Sequence, residues 1–171
     1  MFYKSYYNSP LGKILLVSKS NKLVGLWLEG QKHYLGKIKE DLILNDEEPI
    51  LIRTKLWLDD YFGEKKPDVN RIELDLIGTD FQKMVWEELF RIPYGKVITY
   101  KEIANNIAKK MNKKNAPLRA VGSAVGKNPI SIIIPCHRVI GSDGRLTGYA
   151  GGLDKKIKLL ELEGIKIKEQ D

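Results

Sequence analysis

A chain of 171 residues can bury a core as one large domain or two small ones, which excludes a disordered tail and a disulfide-stapled miniature. Hydrophobic residues make up 43% and charged residues 30%, and no apolar run approaches the roughly 20 residues that cross a bilayer, so composition reads as a soluble protein with no membrane partner. The formal net charge is +7 and there is one cysteine, too few for an internal disulfide.

The opening Met1-Phe2-Tyr3-Lys4-Ser5 lacks the basic-then-apolar layout of a signal peptide, so a cytoplasmic location is expected. Leu11–Val17 and Leu23–Leu28 read as a strand pair turned through Ser18-Lys19-Ser20-Asn21. Ile52 to Phe62 places Leu56, Leu58, Tyr61 and Phe62 at helical spacing and stops at Gly63, after which Lys65-Lys66-Pro67-Asp68 is the linker candidate. Nothing in this α/β stretch suggests chemistry. The expected boundary divides the chain into residues 1–75 and 76–171.

The second part begins with Thr79 and Gln82, spaced as a capping box for a helix carrying Phe81, Met84, Val85 and Leu89 on one face, with Trp86 also assigned to the core. Ile92-Pro93-Tyr94-Gly95 ends it. Thr99 with Glu102 repeats the pattern for a helix through Ile103, Ala104, Ile107 and Met111. Pro117 suits the first turn of a third helix, Leu118 to Val125, whose residues are small apart from Arg119. The last two helices resemble a helix-turn-helix. They also hold the charge: residues 96–127 carry eight bases (Lys96, Lys101, Lys109, Lys110, Lys113, Lys114, Arg119, Lys127) and one acid, Glu102. A concentrated basic face attracts polyanions, nucleic acid above all, although a solubilising lysine-rich surface has the same composition.

Ile130-Ser131-Ile132-Ile133-Ile134 reads as a short buried strand leading into Pro135-Cys136-His137-Arg138-Val139-Ile140. A turn follows at Gly141-Ser142-Asp143-Gly144, then a glycine-rich loop, Gly148-Tyr149-Ala150-Gly151-Gly152, and a closing helix, Lys155 to Glu163, ended by Gly164. A lone cysteine after an apolar strand is commonly inert and buried. Here Pro135 interrupts strand pairing just before it, and the neighbouring His137 and Arg138 favour the thiolate, the nucleophilic form. Adjacent side chains of an extended chain point to opposite faces, so His137 needs a turn or a bridging water to serve Cys136. A histidine acting as base is normally held by a carboxylate, for which Glu161 and Glu163 are both candidates. One cysteine with the distant His33 and His137 makes no zinc site, and the glycine-rich loop lacks the lysine and hydroxyl of a P-loop.

Pro135-Cys136-His137-Arg138-Val139 resembles the active-site signature of the O6-alkylguanine-DNA alkyltransferases, the methylated-DNA–protein-cysteine methyltransferases. The resemblance extends to Gly78-Thr79-Asp80-Phe81-Gln82 with Val85-Trp86, to Ile92-Pro93-Tyr94-Gly95 with Thr99-Tyr100, to Arg119-Ala120-Val121-Gly122, to Asn128-Pro129 and to Tyr149-Ala150-Gly151-Gly152. Ser9-Pro10-Leu11-Gly12 and Tyr61-Phe62-Gly63 are weaker amino-terminal markers.

The resemblance implies an α/β amino-terminal domain of ribonuclease-H-like appearance and a mainly helical carboxy-terminal domain with a winged-helix-like helix-turn-helix. It implies direct-reversal DNA repair, in which the alkyl group of O6-alkylguanine, less readily O4-alkylthymine, passes irreversibly to Cys136. By the same resemblance His137 takes the thiol proton through a water, Glu163 orients His137, Asn128 ties the helix-turn-helix to the active-site turn, and Tyr100 donates to the flipped guanine. Pro135, Val139 through its carbonyl, Tyr149 and Ala150 form the base pocket, Ala150 standing where many relatives have serine. Thr99, Tyr100, Ala120 and Gly122 belong to the DNA face, with Arg119 filling the gap left by a nucleotide flipped through the minor groove. The expected partner is double-stranded DNA containing the lesion, bound by a monomer without cofactor or metal; amino-terminal cysteines that could hold the structural zinc of some relatives are absent. Two other readings share these residues: a cysteine hydrolase, and a lesion-binding protein without catalysis, although such relatives lack the cysteine present here.

Overall fold

In the computed structural model, which describes residues 1–167, the two amino-terminal apolar runs pair as expected. Strand β2 (Gly12–Lys19) and strand β3 (Lys22–Leu28) are antiparallel. The reversal is tighter than the four-residue turn read from sequence. Only Ser20 and Asn21 lie outside the strands, both left-handed at φ 52° and 55°, as a two-residue hairpin requires. Strand β1 (Phe2–Ser9) pairs antiparallel with β2 and parallel with β4 (Leu42–Leu44), giving a mixed sheet of order β3-β2-β1-β4. Most side chains of β1 are half-buried or exposed without alternation, so it leaves no period-two signature.

Helix α1 (Pro49–Phe62) starts earlier than its apolar spacing suggested, with proline in its first turn. It buries Ile50, Leu51, Trp57, Leu58 and Tyr61, each contributing roughly 1.5–3 kcal/mol when taken fully from water. The segment after it is no free tether. The Trp57 indole donates to the Asp68 carbonyl at 3.0 Å, Leu23 N donates to Glu73 O, and Asp75 N donates to Leu23 O, both at 2.9 Å. These bonds fasten the connection to α1 and to the sheet edge.

Both capping boxes are formed. Thr79 Oγ1 accepts from Gln82 N at 3.1 Å while Thr79 N donates to Gln82 Oε1 at 3.0 Å, opening α2 (Asp80–Phe90). Thr99 and Glu102 make the same exchange at the start of α3 (Tyr100–Lys110), behind strand β5 (Ile98–Thr99). Helix α4 (Leu118–Gly126) follows residues 111–117, with Pro117 as its N-cap rather than inside the first turn. Small residues let α4 pack closely on α2, and the buried Trp86 indole donates to the Ala124 carbonyl at 2.8 Å.

The strand expected at Ile130–Ile134 does not form. Ile130 makes a single bridge to Leu26; the chain then turns, with Ile133 N donating to Ser131 O at 2.8 Å, Ile134 N to Ile130 O at 3.0 Å, and Ile132 held at φ 71°. All five residues are buried. Their apolar character reflects burial on all sides, which a tight turn under cover demands as strongly as a strand. Cys136–Arg138 continue as a 3₁₀ turn into β6 (Val139–Ile140), which runs parallel to β5. Helix α5 (Leu153–Leu162) ends at Glu163 and a left-handed Gly164.

Leu26, Trp57 and Tyr61 of the first part belong to the same continuous core as Trp86, Ile107, Ile133 and Leu159 of the second. A smaller cluster, including Leu15, Val24 and Trp27, fills the other face of the sheet. Among the described residues no helix is long and apolar enough to cross a membrane.

Candidate active site

Cys136, 5% exposed, touches a cavity of about 500 Å³, a volume typical of small-molecule sites. Helix α4 walls it through Leu118, Gly122 and Val125, the glycine-rich loop through Gly148, Tyr149 and Ala150, and the start of α3 through Tyr100. Close packing of that loop requires glycine: a Cβ on Gly151 would lie 2.7 Å from Leu28 and 2.8 Å from the Tyr149 ring. Lys32 and His33 close the cavity from the amino-terminal part, where the sequence offered no chemical signal.

Asn128 holds the turn that carries the nucleophile. Its Nδ2 donates to the Ile134 carbonyl at 2.7 Å and its Oδ1 accepts from Ile130 N at 3.0 Å, clamping both ends of the bend. Burial pushes the Cys136 thiol up, opposed by a hydrogen bond from Asn128 and the Lys156 charge. The resting sulfur is therefore a thiol in need of a base.

His137, fully buried, lies in a 3₁₀ turn and not in an extended strand, so the alternation objection falls with the strand. Its Nε2 is 2.6 Å from Glu163 Oε2. Of the two candidate carboxylates, Glu163 is thus the one engaged, while Glu161 is exposed on α5. Arg138 is not arranged beside the sulfur: its Nε and Nη2 donate to Glu163 at 2.7 and 3.1 Å, and its Nη1 to the Ile92 carbonyl at 2.6 Å. Gly95 N donates to Oε1 at 3.1 Å, and the Tyr61 hydroxyl to Oε2 at 2.6 Å. Gly95, at φ 76°, adopts a conformation that glycine enters without penalty.

Burial alone would raise the Glu163 pKa, but the bonds and charges of His137 and Arg138 outweigh it and hold the carboxyl at about 2. Burial lowers that of His137, against the pull of Glu163. At neutral pH the pair is therefore a carboxylate and a neutral imidazole, whose Nε2–H must face the acceptor-only oxygen. Nδ1, which has no hydrogen-bond partner among the described residues, carries the lone pair and is the basic atom.

Lys156 is a further buried polar group that sequence reading passed over. Its ammonium donates to the carbonyls of Val139 at 2.6 Å and Thr147 at 3.1 Å, and burial lowers its pKa to about 8. Val139 and Pro135 are buried behind Cys136 and do not line the cavity. Burial raises the Tyr100 hydroxyl pKa, opposed by a hydrogen bond from Thr147, so the phenol keeps its proton at neutral pH.

Beside the cavity mouth, α4 exposes Arg119, Ala120 and Ser123, while Gly122 is half-buried. The Thr99 hydroxyl is occupied in its capping box. All eight bases of residues 96–127 are exposed; Lys110 pairs with Glu88 at 2.6 Å. No cluster of three or more His, Cys, Asp or Glu that could hold a metal occurs among the described residues.

Comparison with known proteins gives two family matches: residues 2–76 match the ribonuclease-like domain of 6-O-methylguanine DNA methyltransferase, and residues 80–165 its DNA binding domain. The methylated-DNA–protein-cysteine methyltransferase of Methanosarcina barkeri is 47% identical over 162 residues, 94% of this chain and 96% of that protein. Its counterpart from Haemophilus influenzae is 41% identical over 163 residues, 95% and 87% of the two chains. A crystal structure of Mycobacterium tuberculosis OGT in complex with DNA superposes with a TM-score of 0.79 at 38% identity, covering 95% of this chain and 91% of that one.

Proposed function

The chain belongs to the 6-O-methylguanine DNA methyltransferase family, with a mixed-sheet amino-terminal domain and a helical DNA-binding domain, and from that premise we propose that it repairs alkylated DNA by direct reversal, accepting on Cys136 the alkyl group of O6-alkylguanine and, less readily, of O4-alkylthymine. The observation that carries the reading is the placement of the one cysteine at a cavity beneath α4, followed in the chain by an imidazole whose far nitrogen is held by a buried carboxylate.

In the proposed reaction Nδ1 of His137 takes the thiol proton through a water, and the sulfur attacks the alkyl carbon in line with its bond to O6. The carbon–oxygen bond breaks, its electron pair goes to guanine, and the Tyr100 phenol helps the base leave. The product is a thioether. Unlike the thioester of a cysteine hydrolase it offers water no carbonyl, so each molecule reacts once. The stacked base cannot reach a buried sulfur, so the nucleotide is flipped through the minor groove; Arg119 fills its place, and Ala120, Gly122 and Thr99 back the contact. The pocket is formed by Tyr149, Ala150 and Tyr100, while Pro135 and Val139 back the turn from within the core, and Asn128 holds the nucleophile's turn against α4.

The finer architecture belongs to the same proposal. Residues 1–75 form a ribonuclease-H-like domain, residues 76–171 a domain with a winged-helix-like helix-turn-helix, and the protein works on DNA as a cytoplasmic monomer. Mixing it with a duplex bearing O6-methylguanine and mapping peptides by mass tests the core of the reading. One methyl per molecule on Cys136 is expected; an unmodified Cys136, or turnover beyond one equivalent, overturns it.

A further inference from the structure

Resting on that reading, we propose that Tyr61, from helix α1 of the amino-terminal part, is a positioning residue for alkyl transfer, its hydroxyl setting the basicity of the His137–Glu163 pair from 2.6 Å away. The hydroxyl is the donor, since an ionised carboxylate only accepts. It binds Oε2, the same oxygen that His137 Nε2 approaches at 2.6 Å. With Arg138 Nη2 at 3.1 Å as the third donor on that oxygen, its electron density is divided, and the Tyr61 bond weakens the hold of Glu163 on a protonated imidazole. His137 thereby gives up its proton more readily and Nδ1 stands free as a base. Burial and the neighbouring Glu163 raise the Tyr61 pKa well above its ordinary value, so the phenol stays protonated.

Packing accounts for the ring but not for the hydroxyl. Tyr61 stacks on Trp57 with centroids 5.5 Å apart and meets Phe62 and Tyr94 edge-on at 5.3 and 6.0 Å; a phenylalanine would make all three contacts. The other titratable and charged groups around this pair are Arg138, which acts on both Glu163 and His137, Lys156, which acts on His137, and Tyr94 and Tyr149, neutral phenols whose own pKa values the Glu163 charge raises. Of these, only Arg138 also donates to Oε2. The amino-terminal part, for which the sequence suggested no chemistry, thus reaches the proton-accepting pair of the site.

The test is the rate at which the full-length protein transfers benzyl from free O6-benzylguanine to Cys136, followed by mass across the range in which imidazole titrates. In Tyr61→Phe the midpoint of the acid limb is expected to rise by about half a unit to one unit, with the rate below it falling roughly three- to tenfold and the alkaline plateau retained. Tyr94→Phe removes a neighbouring hydroxyl that donates to the Leu162 carbonyl at 3.3 Å, and its profile is expected to overlay the parent's. Site-specific 3-fluorotyrosine at position 61, nearly isosteric and a stronger donor, is expected to move the midpoint down, which keeps the test decisive if Tyr61→Phe folds poorly. An unmoved midpoint in both Tyr61 variants, or a loss uniform across pH, overturns the role of Tyr61 while parent alkylation still stands. A parent that takes up no benzyl on Cys136 overturns the alkyl-transfer reading itself.

Discussion

Replacing Glu163 by glutamine preserves the shape of the side chain and removes its charge, and the consequence can be worked out from the buried network. Arg138, 5% exposed, would keep only neutral acceptors, the amide oxygen and the Ile92 carbonyl. Breaking a buried pair from one side costs about 3–5 kcal/mol. Proton linkage gives a similar figure: a carboxyl held at about 2 instead of 4.5 contributes roughly 3 kcal/mol at 1.36 kcal/mol per unit. For a chain of this size that lowers the melting temperature by roughly 6–15 °C. The folded pKa lies below the unfolded one, so this contribution is complete above about pH 5 and is lost as pH falls toward 2. Urea denaturation and calorimetry of parent and Glu163→Gln should show a gap at neutral pH that narrows in acid. Adding Arg138→Met should restore part of the loss, because the stranded cation is gone. A gap below about 1 kcal/mol at neutral pH, or one indifferent to pH, would refute the argument.

Arg119→Ala should slow repair of a duplex by on the order of tenfold, about 1.4 kcal/mol, yet spare reaction with free O6-benzylguanine; equal losses on both, measured by Cys136 alkylation, would argue against a role in flipping. Duplex affinity should fall steeply as salt rises, because the exposed bases of residues 96–127 displace counterions, while competition between lesions at two salt concentrations should leave their order unchanged. Lys156 is a base whose folded pKa is depressed to about 8, so the unfolded chain binds the extra proton between about 8 and 10.5 and stability from this group rises with pH there. The unfolding free energy of the parent relative to Lys156→Met should therefore climb across that window, and parallel curves would contradict the assignment.

What the sequence disclosed follows the range of each interaction. The Thr79–Gln82 and Thr99–Glu102 caps are closed by residues three apart and were legible at once, as was the β2–β3 hairpin. Ile130–Ile134 misled because a short apolar run records burial without recording whether the chain beneath is straight. The same run makes His137 look like a strand residue, whereas it lies in a 3₁₀ turn. Spacing left Glu161 and Glu163 equal as carboxylates; the resemblance to the family favoured Glu163, which is the one that the fold turns inward. In the sequence Tyr61 shows only as an apolar position and a family marker, because its partner Glu163 lies 102 residues away. Lys156 looked like one more lysine of a basic chain until the carbonyls of Val139 and Thr147 were found around it.

The continuous core shared by the two parts leaves the molecule without a seam along which to come apart. Heating should produce a single transition, with calorimetric and van't Hoff enthalpies that agree. For a protein proposed to react only once this makes unfolding an all-or-nothing event. A copy that opens anywhere in this core has no intact half on which to fall back, so proteases should meet the whole chain at once and leave few stable fragments.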